Sequence, residues 1–172
     1  MTAWRSWLGI ALLLTLSACA SLQKPPDLLS GRLSLRVSDS AGAATHSVSA
    51  GFDLSGSPTR GELRLNSPLG TTLALARWSP GEVTLDANGE RKRYTALDAL
   101  AQDVFGEPLP LAALFAWLRG QPWAQSEHVA LDNGFEQLGW RVDLARWSEG
   151  LLVAERTSPT AVLLRARLDA KP

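Results

Sequence analysis

Leu33-Ser34-Leu35-Arg36-Val37 alternates apolar and polar side chains, and the same two-residue period returns in Val48-Ser49-Ala50-Gly51-Phe52-Asp53-Leu54 and Glu62-Leu63-Arg64-Leu65-Asn66. Successive side chains of an extended chain point to opposite faces, so each segment reads as a strand with one buried and one wet face. Residues 72–78, 83–86, 91–94, 140–144, 151–155 and 162–168 continue the pattern, and turn sequences such as Ser79-Pro80-Gly81 and Asn88-Gly89 separate them. About nine short strands joined by tight turns predict an antiparallel meander.

The period changes in the middle of the chain. Thr95 followed by Asp98 suits a helix start, and Leu97, Leu100, Ala101, Val104 and Phe105 then recur at helical spacing before Gly106. A second helix is predicted directly after it, with Pro110 near its start, Leu111, Leu114, Phe115 and Leu118 on one face, and Gly120 at its end. The class is therefore mainly β with a few helices (α+β). Two short helices cover only part of such a sheet. Either a concave apolar face remains, or the sheet closes on itself and its side chains fill the space; the pattern leaves both open.

The N-terminus addresses location. Arg5 precedes a nine-residue apolar run, Leu8 to Leu16, which has the form of a secretory signal and is far short of the roughly 20 residues a membrane-spanning helix needs. Leu16-Ser17-Ala18-Cys19 resembles the bacterial lipobox, which implies cleavage after residue 18 and a mature chain beginning with a lipidated Cys19. Cys19 is the only cysteine, so no disulfide is expected. Ala20 in place of an acidic residue points, by resemblance to the sorting rule for such proteins, to the outer membrane. Residues 19–30, with Pro25 and Pro26, read as lipidated terminus and tether, and residues 31–169 as a single domain.

Composition narrows the function. The chain has 17 basic and 17 acidic residues, and removing residues 1–18 takes away only Arg5, so neither a basic face for nucleic acid nor a polybasic membrane patch is implied by the balance. Charge segregated on the surface is not excluded by it. His46 and His128 sit in no recognisable metal or triad motif, and no glycine-rich phosphate loop occurs. No enzyme, cofactor or metal is expected. The segment that stands out is Leu65-Asn66-Ser67-Pro68-Leu69-Gly70-Thr71-Thr72-Leu73. Pro68 and Gly70 turn the chain between two strands and set Leu69 at the tip. Such a leucine either folds back onto the core or stays exposed for a purpose.

The run from Asn66 to Leu73, the later Asn88-Gly89-Glu90-Arg91-Lys92-Arg93-Tyr94-Thr95-Ala96, and Gly106-Glu107-Pro108-Leu109-Pro110-Leu111-Ala112-Ala113-Leu114 with Trp117-Leu118-Arg119-Gly120 resemble, in order and spacing, the LolB family of outer-membrane lipoprotein receptors. The resemblance covers roughly residues 31–168. It implies a curved antiparallel half-barrel covered by helices, enclosing a hydrophobic cavity for acyl chains. It also implies a lipid-anchored protein on the periplasmic face of the outer membrane that receives lipoprotein cargo from a LolA-like soluble carrier. Pro68, Leu69 and Gly70 match the family's protruding loop, whose leucine touches outer-membrane lipid. By pattern, the cavity lining is expected from Leu33, Leu35, Val37, Phe52, Leu63, Leu65, Leu73, Leu75, Leu100, Val104, Phe115 and Trp140, while Trp78, Trp123 and Trp147 are assigned to strand ends or loops. A monomer without nucleic acid is expected.

One departure bears on the lid. Only eleven residues separate Cys19 from Gly31, whereas the family usually carries a helix there, of which Leu28-Leu29 supplies at most one turn. Two rival readings are the soluble carrier of the same fold, against which the lipobox argues, and a structural or assembly lipoprotein that binds a protein partner and no lipid.

Overall fold

The alternating segments become one antiparallel sheet in the computed structural model, which describes residues 27–170. Its strands are β1 Leu29–Ser38, β2 Ala44–Ser57, β3 Arg60–Asn66, β4 Thr72–Ser79, β5 Glu82–Ala87, β6 Glu90–Tyr94, β7 His128–Leu131, β8 Gly134–Gln137, β9 Trp140–Asp143, β10 Leu151–Arg156 and β11 Ala161–Leu168, with helices α1 Leu97–Phe105 and α2 Leu111–Trp117 between β6 and β7. The order across the sheet is β6-β5-β4-β3-β2-β1-β11-β10-β9-β8-β7. Neighbours in space are neighbours in sequence except at the centre, where β1 pairs with β11. The edges β6 and β7 stay open, and the two helices carry the chain from one to the other. This is the open, curved antiparallel sheet with helices that the resemblance implied.

Two strands were not expected. β7 and β8 have four residues each, and β7 is almost wholly exposed, so neither shows a buried stripe long enough to read as a period. At the other end, Leu29 already belongs to β1, so Leu28-Leu29 forms no helical turn. The signal segment and Cys19 lie outside the described residues.

Residues opposite one another in an antiparallel pair share a face, so the register assigns every inward side chain. Leu35, Phe52, Leu54, Leu85 and Leu164 point inward and are buried. On β4 the register overturns the expectation: Leu63 lies opposite Ala76 and Leu65 opposite Ala74, whereas Arg64 lies opposite Leu75. Ala74, Ala76 and Trp78 therefore face the core, while Leu73 and Leu75 face out. Trp78 fixes this phase. Its ring is buried beside Gly61, where an added Cβ would sit 2.5 Å from the indole, and its Nε1 donates to Ser57 O at 2.9 Å.

Both helices pack on the inner face. α1 starts after an extended Ala96 with no side-chain cap, so Thr95 does not play the capping part expected of it; Asp98 in the first turn favours the helix dipole. Leu100 and Ala101 are buried, and Gly106, at φ 70°, ends the helix in the left-handed conformation its lack of Cβ permits. α2 buries Ala113, Phe115 and Trp117, with Phe115 edge-on to Trp78 at 5.4 Å and Trp117 packed on Trp140 at 6.0 Å.

Two buried polar residues tie these helices to the sheet. Arg156 of β10 donates to Glu107 Oε2 (2.9 Å) and Pro108 O (3.2 Å) in the α1–α2 connection, and its guanidinium also lies over Trp140. Gln137 of β8 accepts from Trp117 Nε1 and Trp123 N, and donates to Trp123 O and Ser126 O. A buried amide with its donors and acceptors filled holds its neighbours in one arrangement.

Candidate functional site

Between the helices and the sheet lies an apolar pocket of about 360 Å³. It exists because the inner face is stepped in size. Leu63 and Leu65 on β3 are large, but Ala74 and Ala76 on β4 and Ala87 on β5 are small, and the helices span that depression without filling it. Leu97, Leu100 and Val104 of α1 and Leu111, Leu114 and Phe115 of α2 form the roof, and Leu54, Phe105, Leu109, Leu118, Leu164 and Ala166 complete the wall. A volume of this size is in the usual range for ligand sites, and most of its surface is hydrocarbon.

Of the residues that the pattern assigns to a cavity, Leu33, Leu35, Phe52, Leu63, Leu65, Leu100, Val104 and Phe115 line the pocket. Four residues are placed elsewhere. Val37 is buried in the core beyond the pocket, Trp140 packs against Trp117 under Arg156, and Leu73 and Leu75 sit on the outer face. The small residues that create the space were missed, as was Trp78, which lies one residue before the end of β4 but is a buried wall of the pocket. The in-phase spacing of Ala74, Ala76 and Trp78 was the available signal.

One margin of the pocket is polar. Asn88, Glu90, Lys92 and Asp103 line it where α1 meets the edge strand β6. Asp103 accepts from Tyr94 Oη at 2.6 Å and Lys92 Nζ at 3.0 Å. These two donors hold the Asp103 carboxyl below the ordinary carboxylate range, while partial burial, aided by Asp103, pushes the Tyr94 phenol up to about 12. The seam thus latches α1 to β6 with a charged, hydrogen-bonded contact. Among the described residues no three His, Cys, Asp or Glu side chains converge to hold a metal ion, and no helix is long and apolar enough to cross a membrane.

The Pro68-Leu69-Gly70 turn rises from the pocket's edge, since Leu65 before it and Ala74 after it both line the pocket. The turn is closed by its own hydrogen bonds: Ser67 N donates to Thr71 O (2.8 Å), Gly70 N to Ser67 O (2.9 Å), and Ser67 Oγ accepts from Leu69 N and Thr71 N. Gly70 adopts φ 82°, open to glycine at no steric cost. With its backbone satisfied internally, the turn presents Leu69 at 95% exposure, and Leu73 just beyond it is 48% exposed. Leu69 does not fold back onto the core.

Comparison with known proteins agrees with this architecture. The family model for the outer membrane lipoprotein LolB matches residues 28–170. The outer-membrane lipoprotein LolB of Bordetella petrii is 34% identical, with 92% of this chain and 89% of the relative covered. That of Chromobacterium violaceum is 38% identical over 81% and 80%, and that of Bordetella pertussis 36% identical over 94% and 89%. With the family model spanning every strand and both helices of the fold, the chain belongs to the LolB family of outer-membrane lipoproteins.

Proposed function

We propose that this protein accepts lipoproteins from a LolA-like periplasmic carrier, holds their acyl chains in the pocket between helices and sheet, and releases them into the outer membrane. The observation that carries the reading is an apolar pocket opening beside a turn, closed by its own hydrogen bonds, that exposes a leucine at its tip. Cys19, acylated, anchors the chain facing the periplasm. Transfer needs no nucleotide, because acyl chains move toward deeper burial: from a weaker apolar site to a stronger one, and from there to the bilayer. The side chains of this protein bind and release; none is assigned a catalytic step.

The pocket is tested by filling it. Ala76 sits under the helices with its Cβ toward the space, so Ala76→Phe occupies the volume the cargo needs, at an overpacking cost of about 1–3 kcal/mol. Full-length lipidated protein is mixed with carrier loaded with a labelled lipoprotein, and the label that co-purifies with each is measured. Transfer to the native protein and its loss in Ala76→Phe are expected, with Ala74→Leu as a milder second variant and near-ultraviolet circular dichroism as the check on folding. Undiminished transfer in a folded, filled variant overturns the pocket assignment. Absence of transfer to the native protein favours a lipoprotein that binds a protein partner instead.

A further inference from the structure

The near-neutral balance of the chain hides an uneven surface. On the outer face of the two central strands, Arg32 and Arg36 of β1 and Arg165 and Arg167 of β11 are all exposed. The register sets Arg32 directly opposite Arg167, and Arg165 opposite Ser34. Like charges facing one another across a strand pair repel, an arrangement that costs stability. On the β3–β6 side of the same face, Arg64, Arg77 and Arg91 are neutralised by Glu62 and Asp86. Among the described residues, none of the four central arginines makes an ion pair. Acidic groups do border them: Asp53 and Asp169 adjoin Arg32, Asp53 being held by Asn66, and Glu149 attracts Arg167 but is bound by Arg146.

Their position links them to Leu69. Arg32 lies level with Gly51 of β2, and Gly51 with Asn66, the last residue of β3 before the turn. At the usual strand spacing Arg32 and Arg167 are roughly 10 and 15 Å across the sheet from β3. Arg36 and Arg165 lie farther along in the direction the turn projects. Leu73, half exposed beside the turn, is on the same outer face. Exposed leucine flanked by unneutralised arginine is the pattern of a surface that sits at a lipid interface.

We infer that Arg32, Arg36, Arg165 and Arg167 bind the anionic headgroups of the membrane surface that Leu69 enters, and so set the protein's orientation on the bilayer. The inference rests on the reading of Leu69 as the membrane-touching residue. The acyl anchor on Cys19 holds the protein near the membrane without fixing which face meets it; the arginine stripe supplies that choice.

The test uses the full-length lipidated chain carrying an environment-sensitive fluorophore at Thr71→Cys, incorporated in vesicles of phosphatidylcholine alone or of phosphatidylcholine and phosphatidylglycerol in equal parts. Quenching by lipids brominated on their acyl chains reports insertion of the turn. Insertion is expected to be stronger with phosphatidylglycerol and to weaken in high salt. An arginine near an anionic surface favours binding roughly fivefold, so Arg32→Gln, Arg36→Gln, Arg165→Gln and Arg167→Gln together should remove at least about tenfold of that preference. Insertion that is equal in both lipids, or a phosphatidylglycerol preference that survives the quadruple variant, overturns the inference while leaving Leu69 in place. So does a quadruple variant that inserts normally but no longer receives cargo, which assigns the stripe to an acidic protein. No insertion in either vesicle, matching the Leu69→Glu control, removes the underlying reading of the turn.

Discussion

Replacing Leu69 by glutamate should leave the fold and the anchor intact and remove one step. The side chain is 95% exposed and the turn's hydrogen bonds use only backbone groups and Ser67, so folding stability should change by less than about 0.5 kcal/mol. If Leu69 enters the membrane as proposed, what is lost is burial in lipid. A leucine side chain contributes roughly 1.5–3 kcal/mol on leaving water, which is about 10- to 150-fold in the turn's membrane affinity. Acyl chains on Cys19, the proposed anchor, would exceed that many times over at about 0.8 kcal/mol per buried methylene, so the variant should stay on the membrane. In a reconstituted system of loaded carrier, lipidated protein and vesicles, cargo should reach the Leu69→Glu protein normally. It should then accumulate on that protein, with release into the bilayer slowed at least about tenfold and Leu69→Ala intermediate. Normal release by Leu69→Glu, or detachment of the variant from the membrane, would refute the reasoning.

Arg156→Ala strands the Glu107 carboxylate and frees the α1–α2 connection; breaking a buried pair costs about 3–5 kcal/mol, which at roughly 2–4 °C per kcal/mol lowers the thermal midpoint by about 6–20 °C, and a fall of about one degree or less would contradict the clamp. Asp103 has a folded pKa below its unfolded value of about 3.9, so its contribution is present above that value and lost as pH falls through the folded one. The midpoint difference between the native chain and Asp103→Asn should therefore exist at neutral pH and shrink in acid; a constant difference would remove the latch. Tyr94 acts in the opposite sense: its phenol, raised to about 12, favours the folded state below pH 10, and that support fades as pH rises from 10 toward 12.

The strands were legible wherever one face was plainly apolar, as in β1, β2 and β3, and the helices wherever glycine and proline bounded a helical period. β4 was read in the wrong phase for a physical reason. Thr72-Leu73-Ala74-Leu75-Ala76-Arg77-Trp78 places leucines on one face and alanines with tryptophan on the other, and hydrophobicity alone favours the leucines. The register decides otherwise because Trp78 needs the space above Gly61 and a partner for its indole nitrogen, both of which lie on distant segments. The same long-range dependence hid the pocket: alanines read as weak core positions until the leucines opposite them are known. Leu69 was singled out from Pro68 and Gly70, but its exposure follows from bonds within Ser67–Thr71 that no period reveals. The arginine stripe escaped because Arg32 and Arg167 are far apart in sequence and adjacent only through the β1–β11 ladder.

That ladder also governs when the molecule can acquire its structure. The first and last strands meet at the middle of the sheet, so the hairpins on either side have no shared spine until residues near the end of the chain are available. Closing so long a loop is slow and entropically costly, and it defers cooperative folding until β11 is present. The same topology makes the C-terminal strand unusually sensitive to truncation, since its removal would split the sheet at its centre.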